Sequence, residues 1–321
     1  MRRLAAIALT AVLACNPGFE PQYRVTDLRI LGVRAEVIVD PADPRGTDLA
    51  DPNLDDTVRL EALIANPKGQ ADLSDVDVTW LACAPGQGGA LPPCVDPTFL
   101  QDPASLVSAG AFPIAKGAKP SDFSLTALPA PARDAFAAAL ESARRLAFSE
   151  PTFQCRIYVE IPIVVVAESA TGRRDVALKR VRLVQKPADA TFPYDGYLPN
   201  RNPVVKDAIS ATDDGCLGGT SLGAPKALSA GATKTLCAQA ASRPDEYFIC
   251  GADGTRNWTN ENLSWQWYVT AGEFKDVGGL GNAEGSHLDF TTPQGTFTLW
   301  LILRDGRGGE AWKPFDVTPA P

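Results

Sequence analysis

The segment Phe297–Val317 constrains the fold of this chain more than any other stretch. Phe297–Leu303 is apolar on nearly both of its alternating faces, which is typical of a strand covered on both sides. Arg304–Gly309 follows with three glycines, which permit the positive φ angles of a tight hairpin turn. Ala311–Val317 has strand character again, with Pro314 suited to a sheet edge. The segment predicts an antiparallel hairpin inside an all-β domain.

Apolar residues alternate with polar ones in several other segments, which is the period of a half-buried strand. The clearest of these segments are Leu28–Val33, Val58–Ile64, Val76–Ala82, Cys155–Ile161, Lys234–Ala240 and Leu263–Val269. After Val176 and Leu178 the phase shifts at Lys179-Arg180, which predicts a β-bulge.

The alternation breaks between Cys83 and Ser149. The first half of this stretch is rich in Gly, Pro and Ala. The second half places apolar residues at helical spacing, with Pro131 suited to the first helical position and Pro151 to the stop. We therefore expect an insertion that contains one helix and packs against a sheet or an open end of the domain.

Together, Trp265-Gln-Trp267, Thr292–Leu299 and Leu303–Gly309 resemble a PKD-type or related immunoglobulin-like module. Val76–Ala82, with Trp80, is similar to strand C of an immunoglobulin-like sandwich, where a tryptophan packs into the core. The resemblance implies an all-β fold with two immunoglobulin-like β-sandwiches in tandem. The expected boundaries are 24–186 for the first sandwich, with its insertion at about 84–150, 187–203 for a Pro-rich linker, and 204–321 for the second sandwich.

The N-terminus has the layout of an export signal. Arg2 and Arg3 precede the apolar run Leu4–Leu13, which is too short to span a bilayer, and Ala14-Cys15 follows. These residues resemble the lipobox of bacterial lipoproteins. The resemblance implies cleavage before Cys15, a diacylglycerol on its thiol, an acyl chain such as palmitate on its amine, and residues 16–23 as a tether. Asn16, in place of the aspartate that signals inner-membrane retention, favours the outer membrane, with either side of that membrane open.

The charge balance restricts the partners. The chain has 30 basic and 38 acidic residues, and loss of Arg2 and Arg3 with the signal makes the balance more acidic still. Such acidity argues against nucleic acid and against docking on anionic lipid head groups. The expected membrane contact is therefore the lipid anchor alone.

Beyond Cys15, an even number of cysteines predicts disulfides in an exported protein; they are Cys83, Cys94, Cys155, Cys216, Cys237 and Cys250. Cys83–Cys94 is the preferred pair because it closes a short loop, whereas Cys83 and Cys155 are expected on opposite faces. Either Cys237–Cys250 or Cys216–Cys250 is expected in the second domain. Since each domain holds three cysteines, either one bond crosses the junction or two thiols stay free.

The sequence offers little chemistry for catalysis or metal binding. It has no Cys-x-x-Cys pair, and its single histidine, His287, follows Ser286 without a recognisable triad motif. An acidic loop supplies candidate calcium ligands at Asp48, Asp51, Asp55 and Asp56, although its spacing does not match an EF-hand and a solvated loop is the default interpretation. We predict no catalytic residue, no cofactor and no metal.

Tryptophans concentrate in the second domain. Trp265 and Trp267 share an inward face, whereas Trp258, Trp300 and Trp312 are candidates for contacts with a partner. The predicted function is that of a membrane-anchored envelope lipoprotein, acting as a structural, adhesion or protein-binding module. The alternatives are carbohydrate binding and a hydrolase with an unrecognised acidic site. We expect the first domain near the membrane and the second pointing away from it.

Overall fold

The computed structural model describes residues 21–321, except for short segments within this range. The residues outside the description are 1–20, 41–45, 84–93, 95–102, 118–119, 150–157, 185–199, 213–215, 217, 242–244, 252, 254 and 279–280. The described chain is mostly β, in antiparallel sheets with two α-helices, which confirms the predicted all-β class.

The first sandwich consists of two four-stranded sheets. One sheet contains β1 (Arg29–Ile38), β2 (Thr57–Asn66), β3 (Gly69–Gln70) and β6 (Ser121–Ser124). The other has the order β5 (Ala111–Lys116), β4 (Val76–Cys83), β7 (Tyr158–Ser169), β8 (Arg174–Val184). Alternate residues of both sheets meet in one apolar core around Leu60, Trp80 and Val165, as the period-2 pattern predicts.

The segment between β4 and β7 does more than cover a sheet. It contains α1 (Pro103–Ser108), a 3₁₀ turn (Leu125–Ala127) and α2 (Ala130–Ser149), so the predicted helix is present. α2 places Ala132 and Phe136 in the core. In addition, β5 pairs with β4 and β6 pairs with β2, so this segment completes both sheets of the sandwich.

The predicted bulge at Lys179-Arg180 is wrong, because β8 pairs with β7 without a register shift. Lys179 lies on the same face of β8 as the buried Val181, and it is itself buried against Glu310 of the second sandwich. The apolar alternation is interrupted because one inward position holds an ion-paired lysine. The register shifts of this sandwich lie instead between Ile30 and Gly32 of β1 and between Trp80 and Leu81, where β4 pairs with β5.

The second sandwich is also built from two sheets. The larger has the order β10 (Thr220–Ser221), β9 (Val205–Ala211), β11 (Thr233–Ala240), β16 (His287–Thr291), β15 (Glu273–Phe274). The smaller has the order β14 (Ser264–Val269), β17 (Phe297–Arg304), β18 (Glu310–Val317). Aromatic rings dominate the core between the two sheets. The ring centroid of Phe290 lies 4.9 Å from that of Phe274 and 5.6 Å from that of Phe297.

A separate two-stranded hairpin joins β11 to β14. It is formed by β12 (Glu246–Cys250) and β13 (Arg256–Asn260), which pair only with each other among the described strands. The turn between them is held by a hydrogen bond from the Gly251 N–H to the Thr255 carbonyl, 2.8 Å long.

The two sandwiches share an apolar junction. Leu299 and Leu301 of β17 point into the second core, whereas Trp300 and Ile302 pack on Leu31 of β1. The prediction that Phe297–Leu303 is covered on both faces is therefore confirmed, and the first sandwich supplies the second cover. At Gly32 a Cβ atom would lie only 3.1 Å from the Trp312 ring, so the glycine permits the close approach.

Candidate functional site

An open concave site lies on the second sandwich, along β14, which is the edge strand of its sheet. It is a groove of about 570 Å³, within the size range of small-ligand sites. We name it the Trp265 groove. Its lining residues are Leu263, Ser264, Trp265, Gln266, Glu284, Gly285, Ser286 and Arg304.

Backbone pairing at the β14 edge builds the floor of this groove. The Trp267 N–H donates to the Ala283 carbonyl at 3.0 Å, and the Gly285 N–H donates to the Trp265 carbonyl at 3.1 Å. The buried indole of Trp267 also donates to the Gly285 carbonyl at 2.8 Å. The loop that carries Glu284 and Ser286 is therefore held against the strand by three hydrogen bonds.

Polar groups surround one indole in the groove. Trp265 is partly buried against the second core, and part of its ring remains exposed. Beside it, the Arg304 guanidinium donates to the Gln266 side-chain oxygen at 2.7 Å. The same guanidinium pairs with the buried Glu310 carboxylate at 2.9 Å, which balances its charge. Glu284 and Ser286 expose a carboxylate and a hydroxyl, so the groove combines an aromatic surface with donors and acceptors.

The groove holds one carboxylate, Glu284, among its lining residues. Hydrolysis of a glycosidic bond by the common mechanisms needs two carboxyl groups on either side of the bond. His287 lies next to the groove, with its Nδ1 3.3 Å from the Ser286 hydroxyl, and both residues are exposed.

A second polar cluster lies between the sandwiches, and we name it the polar junction. Arg307 is its centre: its guanidinium donates to Glu261 at 3.0 Å, lies 4.0 Å from Asp51 and stacks on the Tyr247 ring at 4.6 Å. Asp305 accepts hydrogen bonds from the Arg307 backbone N–H and from the Asn200 amide. The charged side chains are buried, so this cluster holds the sandwiches together and is closed to a ligand.

The polar junction extends to a buried ion pair. The Lys179 ammonium lies 3.4 Å from the Glu310 carboxylate, and burial lowers the pKa of Lys179 while Glu310 opposes that shift. The Glu310 N–H is hydrogen-bonded to Asn202, whose amide also donates to the Ala35 carbonyl. A chain of polar contacts thus connects β1, β8 and β18.

Glu261 is a carboxyl group of the polar junction with a raised pKa. Burial, followed by the nearby Asp305 charge, raises its pKa to about 7, although Arg307 opposes the shift. The Asp245 N–H also donates to this carboxylate at 3.2 Å. Because Asp245 and Glu261 flank the β12–β13 hairpin, the protonation of Glu261 affects the base of that hairpin.

The three candidate aromatic side chains have different environments. Trp300 is fully buried in the apolar junction, so its proposed role in contacting a partner is wrong. It points away from the second core, as the alternation along β17 predicts, but the first sandwich covers that face of the strand. Trp312 is half-buried and lies 5.7 Å from the Arg34 guanidinium. Trp258 is 62% exposed, on the β12–β13 hairpin.

The predicted Cys83–Cys94 bond is present. Cys216 bonds to Cys237, with Cα atoms 5.9 Å apart, so the expected Cys237–Cys250 and Cys216–Cys250 bonds are both wrong. The reason is that β10 folds back along β9, the neighbour of β11, and so brings Cys216 to Cys237. Cys250 is disulfide-bonded as well, which excludes a free thiol there. Cys155 lies outside the described residues.

The acidic loop does not assemble as a calcium site within the described residues, where no group of three His, Cys, Asp or Glu side chains is placed to hold a metal. Asp51 is buried and accepts a hydrogen bond from the Asn200 N–H, so it belongs to the polar junction. Asp56 accepts from the Asn53 N–H at 2.7 Å, and Asp48 has a positive φ of 61°. Asp55 also has an interaction partner in the protein.

The signal segment, Cys15 and residues 16–20 lie outside the described residues. Among the helices that are described, none is long and apolar enough to cross a membrane.

Several functional residues escaped the sequence analysis. Trp265 shares a face with Trp267, which predicts a core residue; it does pack on the second core, but its partial exposure depends on the groove at the sheet edge. Arg304 and Arg307 were assigned to a hairpin turn. One signal was available: two arginines and an aspartate next to apolar strands indicate charges that need partners.

Comparisons with known proteins add little. No protein-family model matches the chain, and no curated protein does. The chain is similar to the Bacteroides ovatus mixed-linkage glucan utilization locus protein SGBP-B, solved with a mixed-linkage heptasaccharide, at 13% identity over 89% of this chain and 47% of that chain, with a TM-score of 0.19. It is also similar to native E. coli alpha-2-macroglobulin, at 8% identity over 92% and 16%, with a TM-score of 0.23. The chain thus spans about half of the first protein, and such low scores carry no argument about function.

Proposed function

We propose that the protein is a non-catalytic binding protein of the cell envelope, tethered through a lipid on Cys15, and that it binds a carbohydrate in the Trp265 groove. One observation carries the proposal: the groove places a partly exposed indole beside an amide, a carboxylate and a hydroxyl. A sugar ring has an apolar face and a rim of hydroxyls. An aromatic side chain can pack on the apolar face of the sugar, and side chains that donate and accept hydrogen bonds can bind its hydroxyls.

The charges that line the groove restrict the class of glycan that it can bind. Arg304 is paired with Glu310 and bonded to Gln266, so its positive charge is already compensated. Glu284 is the remaining charged group of the lining. A neutral glycan therefore fits better than an anionic one, since an anion would face an uncompensated carboxylate.

The disulfides support an extracytoplasmic location, because such bonds persist in oxidising compartments. The location of Glu261, the carboxyl group with a raised pKa, supports a non-catalytic function. Glu261 is enclosed in the polar junction, away from the groove, whereas catalytic acids with raised pKa values normally line a cleft.

The test is isothermal titration calorimetry of the exported protein against soluble neutral polysaccharides, namely glucans, mannans and galactans. Gln266→Ala and Glu284→Ala each remove groove hydrogen bonds, and each is expected to weaken binding by about 3- to 10-fold. Glu273→Ala is the matched control, because Glu273 is an exposed carboxylate of the same sandwich outside the groove. Absence of binding to every polysaccharide, or equal affinities of all four proteins, would refute the proposal.

A protein partner is the second candidate, and the β12–β13 hairpin favours it. Trp258 and Ile249, at 62% and 49%, are the most exposed large apolar side chains of the described chain, and both lie on this hairpin. Aromatic side chains of this kind are frequent anchors of protein interfaces. Trp258→Ser should abolish crosslinking to a specific envelope protein. The same substitution at Val204, 46% exposed elsewhere, should leave that crosslink intact.

A further inference from the structure

The first described residues are fixed to the second sandwich, although the first sandwich follows them in the chain. Pro21–Arg24 forms a turn, closed by a 2.9 Å hydrogen bond from the Arg24 N–H to the Pro21 carbonyl. Tyr23 is buried in the second core, where its ring meets Phe274 edge to face at 5.1 Å. Pro21 lies against Gly281, because a Cβ atom added to Gly281 would lie 3.0 Å from the Cα atom of Pro21.

Backbone bonds lock this segment at one end of β14. The Val25 N–H donates to the Val269 carbonyl at 2.9 Å, and the Val269 N–H donates to the Tyr23 carbonyl at 3.0 Å. The Arg24 side chain donates to the Gly272 carbonyl. The chain therefore enters the folded body at the C-terminal end of β14.

The chain enters where the two sandwiches meet. We name this place, around Val25, Asp27 and Arg173, the seam. Val25 is fully buried in the apolar junction, beside Leu31 and Trp300. Two residues later, Asp27 pairs at 3.3 Å with Arg173, which lies in the β7–β8 turn of the first sandwich. Both sandwiches thus have surface within reach of the entering chain.

The length of the tether limits how far the lipid can be from this seam. About six residues separate Cys15 from Pro21, and an extended chain spans at most ~3.6 Å per residue, or about 22 Å. We propose that the seam, with Lys275 on one side and the β7–β8 turn on the other, is the surface that faces the lipid bilayer. This inference rests on the proposed lipid at Cys15. It replaces the expectation that the sandwiches stand one behind the other above the membrane.

The orientation places the groove away from the bilayer. β14 runs from Ser264, which lines the groove, to Val269 at the seam. At about 3.3 Å per residue, Ser264 lies about 16 Å along the strand from Val269. The same tether that holds the seam to the lipid therefore leaves the Trp265 groove open to a ligand.

The test uses the full lipidated protein in phosphatidylcholine vesicles that contain spin-labelled lipid. A fluorescent non-canonical amino acid is placed, one at a time, at Lys275, Thr171 or Ser264, all of which are exposed. Lys275 and Thr171, one on each sandwich, should both be quenched severalfold more than Ser264. Quenching strongest at Ser264, or at Thr171 without Lys275, would overturn the orientation. Native protein that fails to float with the vesicles, like the Cys15→Ser control, would overturn the tether itself and the orientation with it.

Discussion

Deprotonation of Glu261 should make the free energy of unfolding of this protein fall as the pH rises towards and past neutrality. The polar junction buries four carboxylates, Asp51, Glu261, Asp305 and Glu310, and two cations, Lys179 and Arg307, with Arg304 partly exposed beside them. The carboxylates thus outnumber the cations. Burial of Glu261, followed by the repulsion from the nearby Asp305 charge, is the physical reason why this carboxyl retains its proton to a pKa of about 7.

The magnitude follows from the shift of the pKa from its ordinary 4.5 to about 7. Each pKa unit corresponds to about 1.36 kcal/mol. A raised pKa means that the folded state binds the proton more tightly, so this contribution is complete below pH 4.5 and is lost as the pH rises through 7. The free energy of unfolding should therefore decrease by up to about 3 kcal/mol between pH 4.5 and 8.5 through this group.

Glu261→Gln removes the titration while keeping an oxygen that can accept from Arg307. Urea unfolding, followed by tryptophan fluorescence between pH 5 and 8.5, gives the free energy of unfolding of both proteins. Relative to the native protein, Glu261→Gln should gain about 2–3 kcal/mol in stability on going from pH 5 to pH 8.5. Glu284→Gln, at an exposed carboxylate, controls for the loss of one negative charge. Parallel pH profiles for native protein and Glu261→Gln would refute the reasoning.

Three further substitutions test the contacts between and within the sandwiches. Trp300→Ala removes the indole from the apolar junction and should lower the free energy of unfolding, measured in urea, by about 3–5 kcal/mol. Faster proteolysis between the sandwiches should accompany this loss. A decrease below about 1 kcal/mol would contradict the burial of Trp300. Lys179→Met leaves Glu310 with less compensation and should cost about 3 kcal/mol at pH 7, and a gain in stability would show that the pair is dispensable. Replacing Cys216 and Cys237 by serine opens a loop with a sequence separation of 21 and should lower stability by about 3 kcal/mol, whereas unchanged unfolding would argue against the bond.

The local pattern of the chain was sufficient for the strands with clear alternation, such as β2, β4, β14 and β17, and for one disulfide. Trp80 faces the first core, so Cys83 three residues later faces outwards, where Cys94 meets it. This follows from the period-2 geometry of a strand, which depends only on neighbouring residues. The second disulfide required the path of β10 beside β9, which no local pattern shows.

The candidate site was less predictable. Trp265 and Trp267 look equivalent in the sequence, yet the end of the sheet leaves Trp265 partly exposed and encloses Trp267. Whether an inward-facing aromatic becomes core or groove depends on what the neighbouring loop covers. Here Gly285 and its neighbours, about twenty residues away in the chain, decide it.

By itself, the sequence determined the strands with clear alternation, and that Phe297–Leu303 needs cover on both faces, because alternation and hydrophobicity act between neighbours. It did not show β5 and β6, which lie where the alternation breaks and depend on pairing with β4 and β2. The tertiary structure decided what that cover is: it places the first sandwich over Trp300 and buries Lys179 against Glu310, 131 residues away in the chain. A buried charge is tolerated only where the fold supplies an opposite one, and that supply is a property of distant contacts. For the same reason the entry of the chain at the seam, through Tyr23 and Val25, became visible only in the folded molecule.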